Sequence, residues 1–236
     1  MAIYKVTYSE KYRRATLHNW GCNFRCRGCS YKLLGRGKPE KFPTMEEIQE
    51  ALSGLKADAV HFMGGEPTTN PQLPELLRFC KEKLGLKTRL GHTNGSRFPL
   101  PNLDAAYVSF KAFDDALHRE YTGHPAQPVY DNFKRAHQAG LELRASAVFI
   151  PDYIGYDQIE KLCQFLVSLD ASIPFHIMGY VPVPGTEWRR PSDEEMQRAV
   201  AIAQRRLATV GFSHLTPDQM LNPTARDDRF VTKRIL

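Results

Sequence analysis

From Arg14 to Leu207 short apolar runs alternate with stretches in which apolar residues recur every three or four positions, the pattern of strands each followed by an amphipathic helix. Arg14 to Trp20 reads as the first strand. Tyr31 to Pro43 is rich in Gly, Lys and Pro and reads as irregular. Thr44-Met45-Glu46-Glu47 then carries a capping-box signature ahead of Met45, Ile48 and Leu52 at helical spacing, with Gly54 as a stop. Ala57 to Met63 is a second strand, and Asn70-Pro71 opens a helix with Leu73, Leu76, Leu77, Cys80 and Leu84 on one face. Lys87 to Gly91 and Ala105 to Phe110 follow as strands, with the turn-forming triplet Thr93-Asn94-Gly95 between them. Helical stretches at Asp114 to Tyr121 and Pro128 to Ala139 lead to an alternating fifth strand, Leu141 to Ile150. A helix with Ile159, Leu162, Cys163, Leu166 and Leu169 inward precedes a sixth strand at Pro174 to Tyr180. Ser192 with Glu195 caps a final helix through Leu207. Six strand-helix units predict an α/β fold with a parallel sheet wound in one sense.

Composition adds little to that picture except at one place. The 236 residues suffice for one large core, and a single domain is expected over 1–236, its core about 14–211, with 212–236 as a C-terminal tail. That tail is charge-dense from Thr216 and reads as a strap or a frayed end. No window is apolar enough to cross a bilayer, and the Met1-Ala2-Ile3-Tyr4-Lys5 start lacks a secretory apolar region, so a cytoplasmic protein without a membrane partner is expected. The net charge of +6 is concentrated. Between Lys11 and Lys41 stand nine basic residues (Lys11, Arg13, Arg14, Arg25, Arg27, Lys32, Arg36, Lys38, Lys41) against Glu40. Such a stretch suits an acidic partner or an anionic substrate, or is a solvated loop. No recognised nucleic-acid module accompanies it, and no nucleic acid is expected.

The chemistry lies in Gly21-Cys22-Asn23-Phe24-Arg25-Cys26-Arg27-Gly28-Cys29, a CxxxCxxC run after the first strand. Three thiolates on a short loop suit one inorganic cluster. A [4Fe-4S] cube held by three cysteines leaves one iron for a small ligand, such as the amine and carboxylate of a methionine moiety. A structural zinc needs a fourth ligand, for which His18 is the nearest candidate. Disulfides leave an odd cysteine in a chain with no need of staples, and five cysteines with three clustered fit a reducing compartment. At the next strand end stands Gly64-Gly65-Glu66-Pro67, where glycines admit close approach and a carboxylate suits an ammonium group. Thr93-Asn94-Gly95 and Lys111 follow the third and fourth strands. In parallel barrels such strand ends carry function. Cys80 and Cys163 fall on apolar helix faces and read as core. His18, His61 and His176 lie on strands, as lining or core residues.

These residues resemble the radical S-adenosylmethionine (SAM) superfamily, from the cysteine loop to about Trp188. The resemblance implies a partial (β/α)6 TIM-like barrel and a [4Fe-4S] cluster with SAM as cofactors. Cys22, Cys26 and Cys29 are then the metal ligands and catalytic residues, and Gly64, Gly65 and Glu66 line the SAM pocket, the GGE segment taking the methionyl amine. A narrower resemblance is to glycyl-radical-enzyme activating enzymes of the pyruvate formate-lyase type. It rests on Thr93-Asn94-Gly95, on Lys111, Asp114, His118, Thr122 and Gly123 in a KxxDxxxHxxxTG pattern, and on Ile150-Pro151. It adds Thr93, Asn94 and Lys111 to the SAM site, Lys111 near the SAM carboxylate. The implied function is reductive cleavage of SAM to a 5'-deoxyadenosyl radical that takes hydrogen from a glycine of a partner glycyl-radical enzyme, under anaerobic conditions, with flavodoxin or ferredoxin as electron donor. Alternatives are radical modification of a small molecule or peptide and, more remotely, a non-enzymatic metal-binding module. The chain departs from that type at His92 and Ser109, where two aspartates hold a monovalent cation, and at Tyr180-Val181, where a Tyr-His pair is usual. Gly28 replaces an adenine-stacking aromatic residue, a role for which Tyr31 or Phe24 is available.

Overall fold

Helix-capping and β-forming segments alternate closely enough that consecutive strands pair. The computed structural model describes residues 2–35 and 37–236, so Met1, and Arg36 of the basic stretch, lie outside the described residues. Among the described residues nine strands form one sheet: β1 (Ala2–Ser9), β2 (Arg14–Trp20), β3 (Ala59–Met63), β4 (Lys87–Thr93), β5 (Ala105–Phe110), β6 (Glu142–Phe149), β7 (Phe175–Gly179), β8 (Val210–Ser213) and β9 (Lys233–Arg234). Their order is β8-β7-β6-β5-β4-β3-β2-β1-β9. β2 to β8 are parallel, whereas β1 pairs antiparallel with β2 and with β9. The helices are α1 (Met45–Ser53), α2 (Leu73–Arg78), α3 (Asp115–Thr122), α4 (Gln127–Gln138), α5 (Tyr156–Val167), α6 (Asp193–Gln204), α7 (Pro217–Leu221) and α8 (Pro223–Arg226). The arrangement is an open α/β barrel. Its core lies between the sheet's outer face and the crossover helices, where Leu17, Phe62, Leu90, Val108, Ala147 and Ile177 are buried.

The six expected strands are β2 to β7, and the expected capping boxes at Thr44 and Ser192 are both formed. Three details differ, and one open expectation is decided. No helix joins β4 to β5, because Gly95, Pro99 and Pro101 interrupt the connecting residues 94–104. The second helix begins at Leu73, since Pro67–Thr69 form a 3-10 turn and the Asn70 Oδ1 accepts from the Gln72 N–H at 3.0 Å instead of capping a helix. α6 ends at Gln204 and is followed by β8, α7 and α8, so it is not the last helix. The tail is a strap: Lys233 and Arg234 pair with β1, the Ile235 N–H donates to Val6 O at 2.9 Å, and the Val6 N–H donates to Leu236 O at 3.1 Å.

Candidate active site

β2, β3, β4 and β5 end side by side, which brings the cysteine loop, Gly64-Gly65-Glu66, Thr93-Asn94 and Lys111 to one end of the sheet. The first two are joined directly. The Glu66 N–H donates to Gly21 O at 2.9 Å, and Asn19 Nδ2 donates to Glu66 O at 3.1 Å and to Gly21 O at 3.2 Å. This approach is what requires the glycines. Gly64 and Gly65 have φ of +88° and +49°. A Cβ on Gly65 would stand 2.0 Å from Gly21 O, and one on Gly64 2.7 Å from Asn19 O.

Glu66 is fully buried. Its Oε1 accepts from Thr68 N–H (3.1 Å), Thr68 Oγ1 (2.7 Å) and Thr93 Oγ1 (2.7 Å), and its Oε2 accepts from Asn94 N–H (2.5 Å). Burial pushes its pKa up against the pull of those donors. The carboxylate therefore ties the turn after β3 to the end of β4, and only Oε2 keeps an acceptor position to spare.

The cysteine loop is held from the other side by α3. The Arg25 N–H donates to Thr122 O and the Arg27 N–H to Tyr121 O, both at 2.9 Å. His124 donates through Nε2 to Asn23 O at 2.7 Å, and its ring stacks on Phe24 at 4.9 Å. His118 donates through Nδ1 to His124 O at 2.7 Å, and the Thr122 hydroxyl accepts from the His124 N–H at 3.0 Å. The His and Thr of the KxxDxxxHxxxTG pattern thus brace the loop. Asp114 of the same pattern is drawn elsewhere, to Lys161 (2.7 Å) and Gln158 (2.7 Å). His124 was not singled out in the sequence. Its place directly after the Thr-Gly pair was the available signal.

All three loop cysteines are free thiols, Cys22 exposed and Cys26 and Cys29 partly so, while Cys80 and Cys163 are buried in the core. Burial pushes the Cys22 thiol up and the Cys26 thiol up to about 11, and the positive charge of Lys111 opposes both. The Phe24 N–H (3.3 Å) and Asn94 Nδ2 (3.8 Å) point at Cys22 Sγ, and the Phe24 bond opposes the upward push of burial without overcoming it. Among the described residues no three His, Cys, Asp or Glu side chains converge on a single metal ion. His18 lies on β2 against Thr7, at 3.0 Å, and beside Tyr4, so it does not complete a zinc set. Three thiolates on one loop suit a multi-iron cluster.

Lys111 donates to Ser109 Oγ at 3.0 Å, and its charge, after burial, helps hold His92 down to about 4. A monovalent cation between Ser109 and His92 would face that ammonium group. Phe24 is 7% exposed and covered by His124 and His118, which removes it as a stacking partner for adenine. Gly28 has a steric reason of its own: a Cβ there would stand 2.8 Å from the Tyr121 hydroxyl and 2.9 Å from Tyr180 Cε2. Tyr121, Tyr153, Tyr180 and Trp188 fill that space, with Trp188 stacked on Tyr153 at 4.3 Å and covered by the Arg27 guanidinium at 4.9 Å.

The Radical SAM superfamily profile matches residues 17–166, from within β2 to the last turn of α5. The chain belongs to the radical SAM superfamily. This radical SAM chain is 28% identical to a Methanocaldococcus jannaschii protein provisionally named a glycyl-radical enzyme activating enzyme, over 90% of its own length and 84% of the relative's. It is also 28% identical to the GTP 3',8-cyclase of Stenotrophomonas maltophilia, over 65% of its length and 51% of the cyclase. In fold it is similar to Streptococcus suis SuiB bound to S-adenosylmethionine (TM-score 0.62, 22% identity, 83% of this chain and 48% of SuiB). It is likewise similar to a domain of pyruvate-formate lyase-activating enzyme from Bacteroides vulgatus (TM-score 0.55, 20% identity, 66% of this chain and 99% of the domain). The chain spans about half the length of SuiB and of the cyclase. These radical SAM structures share the partial TIM barrel, and the family implies a [4Fe-4S] cluster and SAM, for which the three free thiols are a suitable donor set. No helix is long and apolar enough to cross a membrane among the described residues.

Proposed function

We propose that Cys22, Cys26 and Cys29 ligate a [4Fe-4S] cluster, that Gly64, Gly65, Glu66, Thr93, Asn94 and Lys111 line the SAM pocket, and that the product radical takes hydrogen from a glycine of a partner glycyl-radical enzyme. The observation that carries the site is the hydrogen-bonded unit of cysteine loop, Glu66 turn and Thr93-Asn94 at one end of a parallel sheet. A cluster held by Cys22, Cys26 and Cys29 would supply the low-potential electron for reductive cleavage of SAM to methionine and the 5'-deoxyadenosyl radical. The chain's own part is placement. α3 and His124 fix the loop, Glu66 fixes the turns that face it, Lys111 sets a positive charge for the SAM carboxylate, and the aromatic group behind Gly28 keeps water from the loop's rear. The activase role is supported by similarity to the Methanocaldococcus jannaschii protein along nearly the whole chain. Similarity to the GTP 3',8-cyclase over 65% of this chain supports a second reading, modification of a small molecule or peptide within the barrel. The test is anaerobic incubation of iron-loaded protein with SAM, dithionite and each glycyl-radical enzyme of the source organism. A glycyl-radical signal in electron paramagnetic resonance is expected. Formation of 5'-deoxyadenosine without a partner radical would overturn the activase reading and leave the second.

A further inference from the structure

The concave face of the sheet carries charge that the proposed chemistry leaves unused. Strand alternation sends Leu17, Phe62, Leu90 and Val108 beneath the helices and leaves His61, Arg89, Tyr107, Arg144 and His176 with access to solvent on the opposite face. The register sets Thr16, His61 and Arg89 side by side across β2, β3 and β4, and Tyr107 beside Arg144 across β5 and β6. Apart from burial itself, the groups acting most strongly on His61 are Arg14, Arg89, His92 and Arg144, and those acting on His92 are Lys111 and His176; all push the imidazoles down, to about 3 and about 4. Both rings are therefore neutral at pH 7, and the field around them is that of the arginines and Lys111.

Counter-charge is thin. Glu142, exposed at the rim, stands 3.7 Å from both Arg89 and Arg144. Asp227 acts on Arg14 but already pairs with Arg229. The Nε atoms of Arg14 and Arg89 are buried and have no hydrogen-bond partner among the described residues. Buried polar groups are nearly always paired, so these two Nε donors, left over although Arg14 Nη2 already donates to Arg229 O at 2.8 Å, point to an acceptor supplied from outside the chain.

Resting on the proposed hydrogen abstraction, we propose that Arg89 and Arg14, with an N–H from His61, bind an anionic group of the molecule from which hydrogen is taken, a carboxylate or a phosphate. His61 precedes Gly64 by three residues, about 10 Å along a strand at roughly 3.3 Å per residue. The anionic group is thus held about that far along the strand from the turn that carries Gly64, apart from Lys111. The group belongs either to a free small molecule or to an acidic side chain on the partner's glycine-bearing segment.

The experiment is calorimetric titration of iron-loaded protein, without SAM or reductant, using inorganic phosphate, glutarate, a nine-residue peptide with a central glycine and two glutamates, and the same peptide with glutamines. Wild type is expected to bind at least one anionic probe. R89Q should weaken that binding about ten- to hundredfold, the effect of losing a charge-assisted hydrogen bond. R89K should retain most of the affinity and K38Q, on the exposed loop, all of it. R14Q carries the same test if R89Q does not fold, as judged by iron content and circular dichroism. Preference for the glutamate peptide over the glutamine peptide assigns the anion to the partner's segment, and binding of the small anions alone assigns it to a small molecule. No binding of any probe, or equal affinity in wild type and R89Q, overturns the proposal. Because no radical is generated, that failure leaves the SAM chemistry standing, and loss of 5'-deoxyadenosine formation leaves the anion site standing.

Discussion

Glu66 is the most heavily hydrogen-bonded carboxylate at this end of the sheet. Four donors from Thr68, Thr93 and Asn94 converge on its carboxylate, so Glu66→Gln must turn an amide NH2 toward at least one of them. Hydrogen bonds to a charged acceptor are worth about 1.5 to 3 kcal/mol, and a stability loss of that size is expected in urea unfolding, together with weaker SAM affinity at equal iron content. An unchanged urea midpoint with reduced SAM affinity would show that the carboxylate acts on the ligand directly. His61 makes a second residue-level prediction. In the folded chain burial and three arginines hold it neutral down to about 3, while an unfolded histidine titrates near 6.5. Below pH 6.5 the unfolded chain takes up a proton that the folded chain refuses, so stability falls as pH drops toward 3 and is fully present above 6.5. The loss for this histidine between pH 8 and pH 5 is about 2 kcal/mol. His61→Gln should lose about that much less than wild type over the same interval, and equal losses would count against a neutral buried His61.

At the scale of elements, the loop that carries the cysteines is positioned by α3 more than by its own sequence. His124→Ala removes one hydrogen bond to Asn23 O and a ring stacked on Phe24, together about 1 to 2 kcal/mol. Release of iron to a chelator should accordingly speed up by roughly tenfold, and an unaltered rate would show that α3 merely lies beside the loop. Cys22→Ala, Cys26→Ala and Cys29→Ala are each expected to abolish iron loading. Cys80→Ala and Cys163→Ala, in the core, should keep about four irons per chain, and stoichiometric zinc without iron after anaerobic reconstitution would refute the cluster assignment. β2 to β7 and the capping boxes were legible because apolar runs and cap residues act locally. β1 alternates too weakly, with Lys5 between Tyr4 and Val6, and the two-residue β9 has no pattern at all; both exist because tertiary pairing supplies their hydrogen bonds. The same limit applies to the site. The Cys and Gly-Gly-Glu motifs were visible in the chain, but the brace by His124 and the packing of Tyr121, Tyr180 and Trp188 against Gly28 join residues about 100 or more positions apart.

At the scale of the whole molecule, the basic stretch from Lys11 to Lys41 is divided between the two ends of the sheet. Lys11 and Arg13 lie at the turn that begins β2 and the cysteines follow its end, a separation of about 20 Å for a strand of this length. The early residues are also committed: Lys11 pairs with Asp228, Arg13 with Asp58 at 2.7 Å, and Arg14 donates to Arg229 O at 2.8 Å. Beside the cysteines remain Arg25, Arg27, which pairs with Glu120 at 2.8 Å, and Lys32, which donates to Arg27 O at 2.8 Å. If an acidic flavodoxin or ferredoxin delivers the electron, this second group steers it to the cluster loop and Lys11 and Arg13 do not, because exposed charges are screened beyond roughly 10 Å at 0.1 M salt. Reduction of iron-loaded protein by such a donor should therefore slow by roughly threefold or more in Arg25→Gln/Lys32→Gln at low salt, and raising the salt should erase the difference. Lys11→Gln/Arg13→Gln should reduce at the wild-type rate. Stopped-flow absorbance of the cluster measures all three, and a rate that ignores salt, or that falls with the Lys11 and Arg13 changes instead, would place the donor somewhere other than the cysteine loop.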